Sequence, residues 1–104
     1  MRVVPLSANP NQSFTLTIDS VRWGIRLRDV MGLMVADISR AGAALLTGTR
    51  ILAGEAIIPY RYLETANFIM LTVGDELPDW QQFGMSQLLL YMSADEIAAM
   101  RATP

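Results

Sequence analysis

Apolar residues alternate with polar ones from Gln12 to Arg28, QSFTLTIDSVRWGIRLR. Phe14, Leu16 and Ile18 are followed by Val21, Trp23, Ile25 and Leu27. A period of two over this length predicts two half-buried strands, with Asp19-Ser20 as the turn between them. A two-residue turn sets Ile18 opposite Val21, Leu16 opposite Trp23 and Phe14 opposite Ile25, all on one face. The other face carries Ser13, Thr15, Thr17, Arg22, Gly24, Arg26 and Arg28. A slip of one residue would drive the arginines into the core, so the register is well specified. This hairpin anchors the expected fold.

The remaining pattern is also strand-like. Arg2 to Leu6 reads as a short strand, stopped by Pro5 and by the loop Ser7-Ala8-Asn9-Pro10-Asn11. Val30 to Ser39 reads as a further strand, with Gly32 as a bulge or turn residue near its start. Arg40-Ala41-Gly42 has the composition of a hairpin loop, returning through Ala43 to Thr47. Neither face of this second hairpin is clearly polar: Leu33, Val35, Leu45 and Thr47 lie on one, Met34, Ala36, Ile38, Ala44 and Leu46 on the other. Such a strand is central to the core or covered by another subunit.

Ile51-Leu52, a turn at Ala53-Gly54-Glu55 and Ile57-Ile58 precede Pro59, which disfavours helix at Ile58 and predicts an extended entry to Tyr60-Arg61-Tyr62-Leu63. Asn67 to Val73 is a strand, Gly74 to Asp79 a loop, Trp80 to Gly84 irregular or a helical turn, and Ser86 to Met92 the last strand. Ser93 and Glu96 form a capping box for a helix over Ala94 to Arg101, which packs by Ile97 and Met100. The expected fold is mainly β: one small antiparallel domain over residues 1–104, barrel-like or sandwich-like, of about seven to eight strands with a short C-terminal helix.

Composition changes this picture in one respect. The chain has 104 residues, 52% hydrophobic and 17% charged, and a mean hydropathy of +0.31. A domain this small cannot bury most of such a sequence, so apolar surface is left over for a partner. The formal charge of −2 is spread along the chain and offers no footprint for nucleic acid. No run approaches the length of a membrane span. MRVVPL lacks the apolar core of a signal peptide, which argues against secretion by that route.

The candidate chemistry is sparse. Cysteine and histidine are absent, which removes thiol nucleophiles, the common triads and most zinc sites. Asp75, Glu76 and Asp79 cluster, but without the alternation of a calcium loop. Asp37 and Glu64 fall near apolar segments with nothing to align them for acid–base work. No catalytic, metal or cofactor-binding residue is assigned, and no cofactor is expected. All eight basic residues are arginine, whose planar fork suits desolvated contacts with carboxylates. Arg22, Trp23, Arg26 and Arg28, with Tyr60, Arg61 and Tyr62, are the candidate protein-interface residues. The seven methionines fit core filling or an adaptable interface.

The order and wording of the segments resemble a known family. Pro10, Asn11, Gln12, Phe14, Leu16, Ile18 and Trp23 match a P-N-Q-x-F hairpin pattern. Tyr60-Arg61-Tyr62-Leu63 and Leu90-Tyr91-Met92-Ser93 match further on. The chain is similar over nearly its whole length to the small baseplate plug family of contractile-tailed bacteriophages. The resemblance implies a non-enzymatic virion protein, assembled in the host cytoplasm and present in multiple copies. It would pack against the hub or spike at the distal end of the tail tube, with hub, spike, tube or wedge proteins as partners. Two other readings of the residues stand beside it. One is a monomeric β-barrel binding an apolar ligand or peptide in a cavity lined by Met34, Met70 and Met92. The other is a tail-associated cell-wall-binding module using Trp23, Trp80, Tyr60 and Tyr62.

Overall fold

Seven strands and one helix follow the predicted order in a computed structural model that describes residues 1–59, 65–74 and 76–102. The strands are β1 (Arg2–Val4), β2 (Asn11–Ile18), β3 (Val21–Val30), β4 (Leu33–Arg40), β5 (Ala43–Arg50), β6 (Ala66–Leu71) and β7 (Leu88–Ser93). The helix α1 spans Ala94–Ala102. Two antiparallel sheets form, one of order β2-β3-β4-β5 and one of order β1-β7-β6. They face each other as an open sandwich and do not close into a barrel.

The alternation of β2 and β3 sets their pairing as expected: Ile18 opposes Val21, Leu16 opposes Trp23 and Phe14 opposes Ile25. Asp19 and Ser20 both have positive φ, 52° and 65°. Two left-handed residues give a turn whose twist matches the strands, which lets Asp-Ser serve where Asn-Gly is commoner. Val30 to Ser39 is not one strand. Met31 and Gly32, at φ 53° and 86°, make a second tight turn, so β3 runs on to Val30 and β4 begins at Leu33. Ala41 and Gly42 make the third, at φ 52° and 84°. The return strand β5 extends to Arg50, beyond the expected end at Thr47.

Trp23, Ile25 and Leu27 of β3, with Met34, Ala36 and Ile38 of β4, form the inner face of the larger sheet. Phe68, Met70, Leu89 and Tyr91 meet them from the smaller sheet. Trp23, Phe68 and Tyr91 pack edge to face, with centroids 5.3 Å apart for Trp23–Phe68 and 5.6 Å for Phe68–Tyr91. Met34 and Met70 belong to this core, whereas Met92 packs with Ile69 and Ile97 under α1. The three methionines are thus divided between two buried clusters.

Only one side of the β4–β5 hairpin is covered. Met34, Ala36, Ile38 and Leu46 are buried, while Leu33 is exposed and Val35 and Leu45 are half-exposed. Ala44 is exposed too, because two register shifts between β4 and β5 interrupt its alternation.

The segment after β5 lies against the edge of β6 through bridges from Ala53 to Met70 and from Ala56 to Ile69. Buried Asn67 fastens it. The Asn67 Oδ1 accepts from the Ile58 N–H at 2.8 Å, and its Nδ2 donates to the Ile58 carbonyl at 2.9 Å. Gln87, also buried, accepts from the Asp79 N–H and donates to the Leu77 carbonyl, both at 2.8 Å. The capping box forms as expected, with Ser93 N–H donating to Glu96 and Glu96 N–H donating to Ser93 Oγ. Ile97 is buried, but Met100 is exposed and does not dock the helix.

Candidate functional site

The outer face of the larger sheet gathers the arginines of the anchor hairpin. Period-two geometry turns Arg22, Gly24, Arg26 and Arg28 of β3 away from the core, beside Ser13, Thr15 and Thr17 of β2. Arg22 and Arg26 are exposed, and neither is in an ion pair among the described residues. Arg28 is half-buried, and its Nη2 donates to Asp37 Oδ1 on β4 at 3.0 Å. The same carboxylate oxygen accepts the Gly48 N–H of β5 at 2.6 Å. Burial alone would raise the Asp37 pKa. The Gly48 hydrogen bond, the Arg28 hydrogen bond and the charges of Arg28 and Arg26 outweigh it and hold the carboxyl below its ordinary value.

An open groove of about 470 Å³ crosses this face over Gly24, between Ser13 and Thr15 on one side and Asp37 and Ser39 on the other. Gly24 keeps it open. A Cβ there would lie 2.5 Å from Ser39 Oγ.

Trp23 lies elsewhere. It is 1% exposed and sits in the core, so its influence on any contact is indirect. Its Nε1 has no hydrogen-bond partner among the described residues, and Arg40 lies over its ring, 5.8 Å from the centroid. Tyr60, Arg61 and Tyr62 fall outside the described residues, as do Glu64 and Asp75. The Asp79 carboxylate accepts from the Gln81 N–H and caps a 3₁₀ turn over Trp80–Gln82. Among the described residues no three carboxylates converge to hold a metal ion.

The tip of the β3–β4 hairpin is a feature that sequence reasoning missed, because Val30 to Ser39 reads as one continuous apolar run. Val30 and Leu33 are exposed beside Met31, which is 99% exposed. The Asp29 carboxylate braces the turn by accepting the Gly32 N–H at 2.9 Å. The available signal was the length of the run and the single glycine near its start.

The motif Pro10-Asn11-Gln12 has a local explanation. Gln12 Nε2 donates to the Ser7 and Asn9 carbonyls, at 2.7 and 3.2 Å, and its Oε1 accepts from the Ser7 N–H. The side chain folds the preceding loop onto the start of β2.

The model of a family described as "Cyanophage baseplate Pam3 plug gp18" matches residues 1–95. The chain belongs to this baseplate plug family. The match takes in every strand and stops at the start of α1. Membership makes the plug protein a structural component of the phage baseplate, and hence of the virion tail, which interacts with other baseplate components. No curated protein matches the chain.

Proposed function

We propose that this plug protein serves a contractile tail, packing against the central hub or spike at the distal end of the tail tube. It is present in several copies set by the tail's symmetry, and assembles in the host cytoplasm. The observation that carries this reading is Met31: a fully exposed apolar side chain held at positive φ on the tip of the β3–β4 hairpin. An L-residue in that region is strained, and exposed apolar groups grouped as at Val30, Met31 and Leu33 mark protein contacts. Hub or spike proteins would receive this tip, while Arg22 and Arg26 meet their carboxylates. Tyr60, Arg61 and Tyr62 remain proposed contact residues from the sequence.

Light scattering on the purified chain, alone and mixed with the hub and spike proteins of the same phage, tests this reading. A complex of defined stoichiometry supports it. A monomer that ignores all of them sinks it.

A further inference from the structure

Every edge of the two sheets but one is blunted. The β1 edge is three residues long and runs into Pro5. The β6 edge is covered by the bridges at Ala53 and Ala56. The β5 edge is bent by two register shifts against β4, Gly48 stands at φ 66°, and its N–H is spent on the Asp37 carboxylate. Short strands, proline, bulges and coverage are the devices that keep sheet edges from pairing with foreign strands.

The β2 edge has none of them. Its eight residues pair with β3 without a shift, and they include no charge, proline or glycine. The two-residue turn at Asp19-Ser20 makes Ile18 and Val21 a hydrogen-bonded pair. The alternation then gives the N–H and C=O groups of Gln12, Phe14, Leu16 and Ile18 to β3. The Asp29 N–H donating to the Pro10 carbonyl at 2.8 Å continues the same alternation. Asn11, Ser13, Thr15 and Thr17 therefore turn their backbone groups outward, and no strand among the described residues takes them up.

We propose that this edge is a strand-addition site, and that its occupant is an extended segment of another protein in which acidic and apolar residues alternate. The inference deepens the baseplate reading and rests on it for the kind of partner. Main-chain pairing supplies affinity, and alternate side chains supply choice.

Charge decides the occupant. An added strand lies about 9–10 Å from β3, with only β2 between them. On the outer face that intervening row is short: Ser13 beside Arg26, Thr15 beside Gly24 and Thr17 beside Arg22. Arg26 and Arg22 stand behind the first and last of these positions, so carboxylates of the added strand level with Ser13 and Thr17 would each face a cation, while the one level with Thr15 faces Gly24. On the inner face, half-buried Phe14 and Leu16 offer apolar neighbours to the remaining positions. A second copy fits poorly. Two antiparallel β2 strands centred on Phe14 would lay Arg22 of one copy toward the same face as the other's Arg28. That face would hold six β3 arginines against two Asp37 carboxylates.

Amide NMR of the purified chain during titration with a synthetic acetylated peptide of alternating valine and glutamate tests the site without any baseplate protein. A failure here leaves the light-scattering result on hub binding intact, and the reverse holds. The site predicts shifts at Ser13, Thr15 and Thr17 with slowed exchange of their amides. A second acetylated peptide of the same length, alternating valine and lysine, should bind more weakly by about tenfold or more. Thr15→Pro removes an outward donor while sparing the bonds to β3, and should abolish binding in a protein whose other amide shifts stay put. Arg26→Glu leaves the backbone alone and should reverse the preference between the two peptides. Three results would overturn the site: no binding at millimolar peptide, equal binding of both peptides, or shifts away from β2. Concentration-dependent protection of the same amides in the free chain would assign the edge to a second copy and overturn it as well.

Discussion

Gly48 donates its backbone N–H to Asp37 across the β4–β5 ladder at 2.6 Å, and Arg28 reaches the same carboxylate oxygen from the opposite neighbouring strand. Asp37 thereby ties three strands together on the outer face, where a lone aspartate inside an apolar strand would be costly. It also closes one edge of the sheet while the other stays open.

Asp37→Asn should lower stability by about 1–2 kcal/mol at neutral pH, through loss of the charge-assisted bonds to Arg28 and Gly48. Because the folded carboxyl titrates below its unfolded value, its contribution is present above about pH 4 and fades as pH falls through the folded pKa. Urea unfolding of both proteins from pH 7 to pH 3 should show the gap narrowing with acid. A gap that is constant over this range would refute the role given to the charge.

Asn67→Ala should cost about 2–4 kcal/mol, because it strands the N–H and C=O of Ile58 together with the Phe68 N–H. Thermal unfolding measures the loss. Hydrogen exchange should show the Ile57 and Ile58 amides opening first, since the Ile57 N–H bonds to the neighbouring Phe68 carbonyl.

Trp23 and Arg26 should separate stability from assembly. Trp23→Ala leaves a hole against Phe68 and Tyr91 and should cost about 3–5 kcal/mol, a large share of what a domain of this size holds. Arg26→Glu should leave the unfolding midpoint nearly unchanged and weaken association with the hub proteins. Circular dichroism melts beside binding isotherms would distinguish the two.

Met31→Asn replaces a strained turn residue by one that tolerates positive φ, giving Asn-Gly at the β3–β4 turn. It should stabilise the isolated chain by about 0.5 kcal/mol and weaken complex formation. Improved stability with unchanged binding would remove the hairpin tip from the contact.

The pairing of the anchor hairpin was readable because its inward positions are Phe, Leu, Ile, Val and Trp, and its outer ones are Ser, Thr, Arg and one Gly, although β3 runs on to Val30, past the expected end at Arg28. Register followed from that contrast alone. The same contrast fails in β4 and β5, where neither face is clearly polar. Gly32 marked a turn or bulge there, but the break of the run into two strands at Met31-Gly32, the register shifts on either side of Ile38 and the exposure of Ala44 were not legible. Trp23 was read both on the apolar face of the hairpin and as a candidate interface residue. Amphipathic aromatics serve cores and interfaces alike, and only the packing of Phe68 and Tyr91 shows which one holds it here. The strand-addition edge has no signature in composition. As proposed, it emerges from comparing β2 with β1, blunted by its length and Pro5, and with β5 and β6, whose protection depends on register shifts and on pairing with a later segment.

The most direct test of the central claim is to locate the chain in intact particles of the phage that encodes it, by gold-labelled antibody against the purified protein. The account predicts label at the distal end of the tail, in the baseplate. Particles that lack the chain, or that carry it only along the tube or at the head, would contradict it.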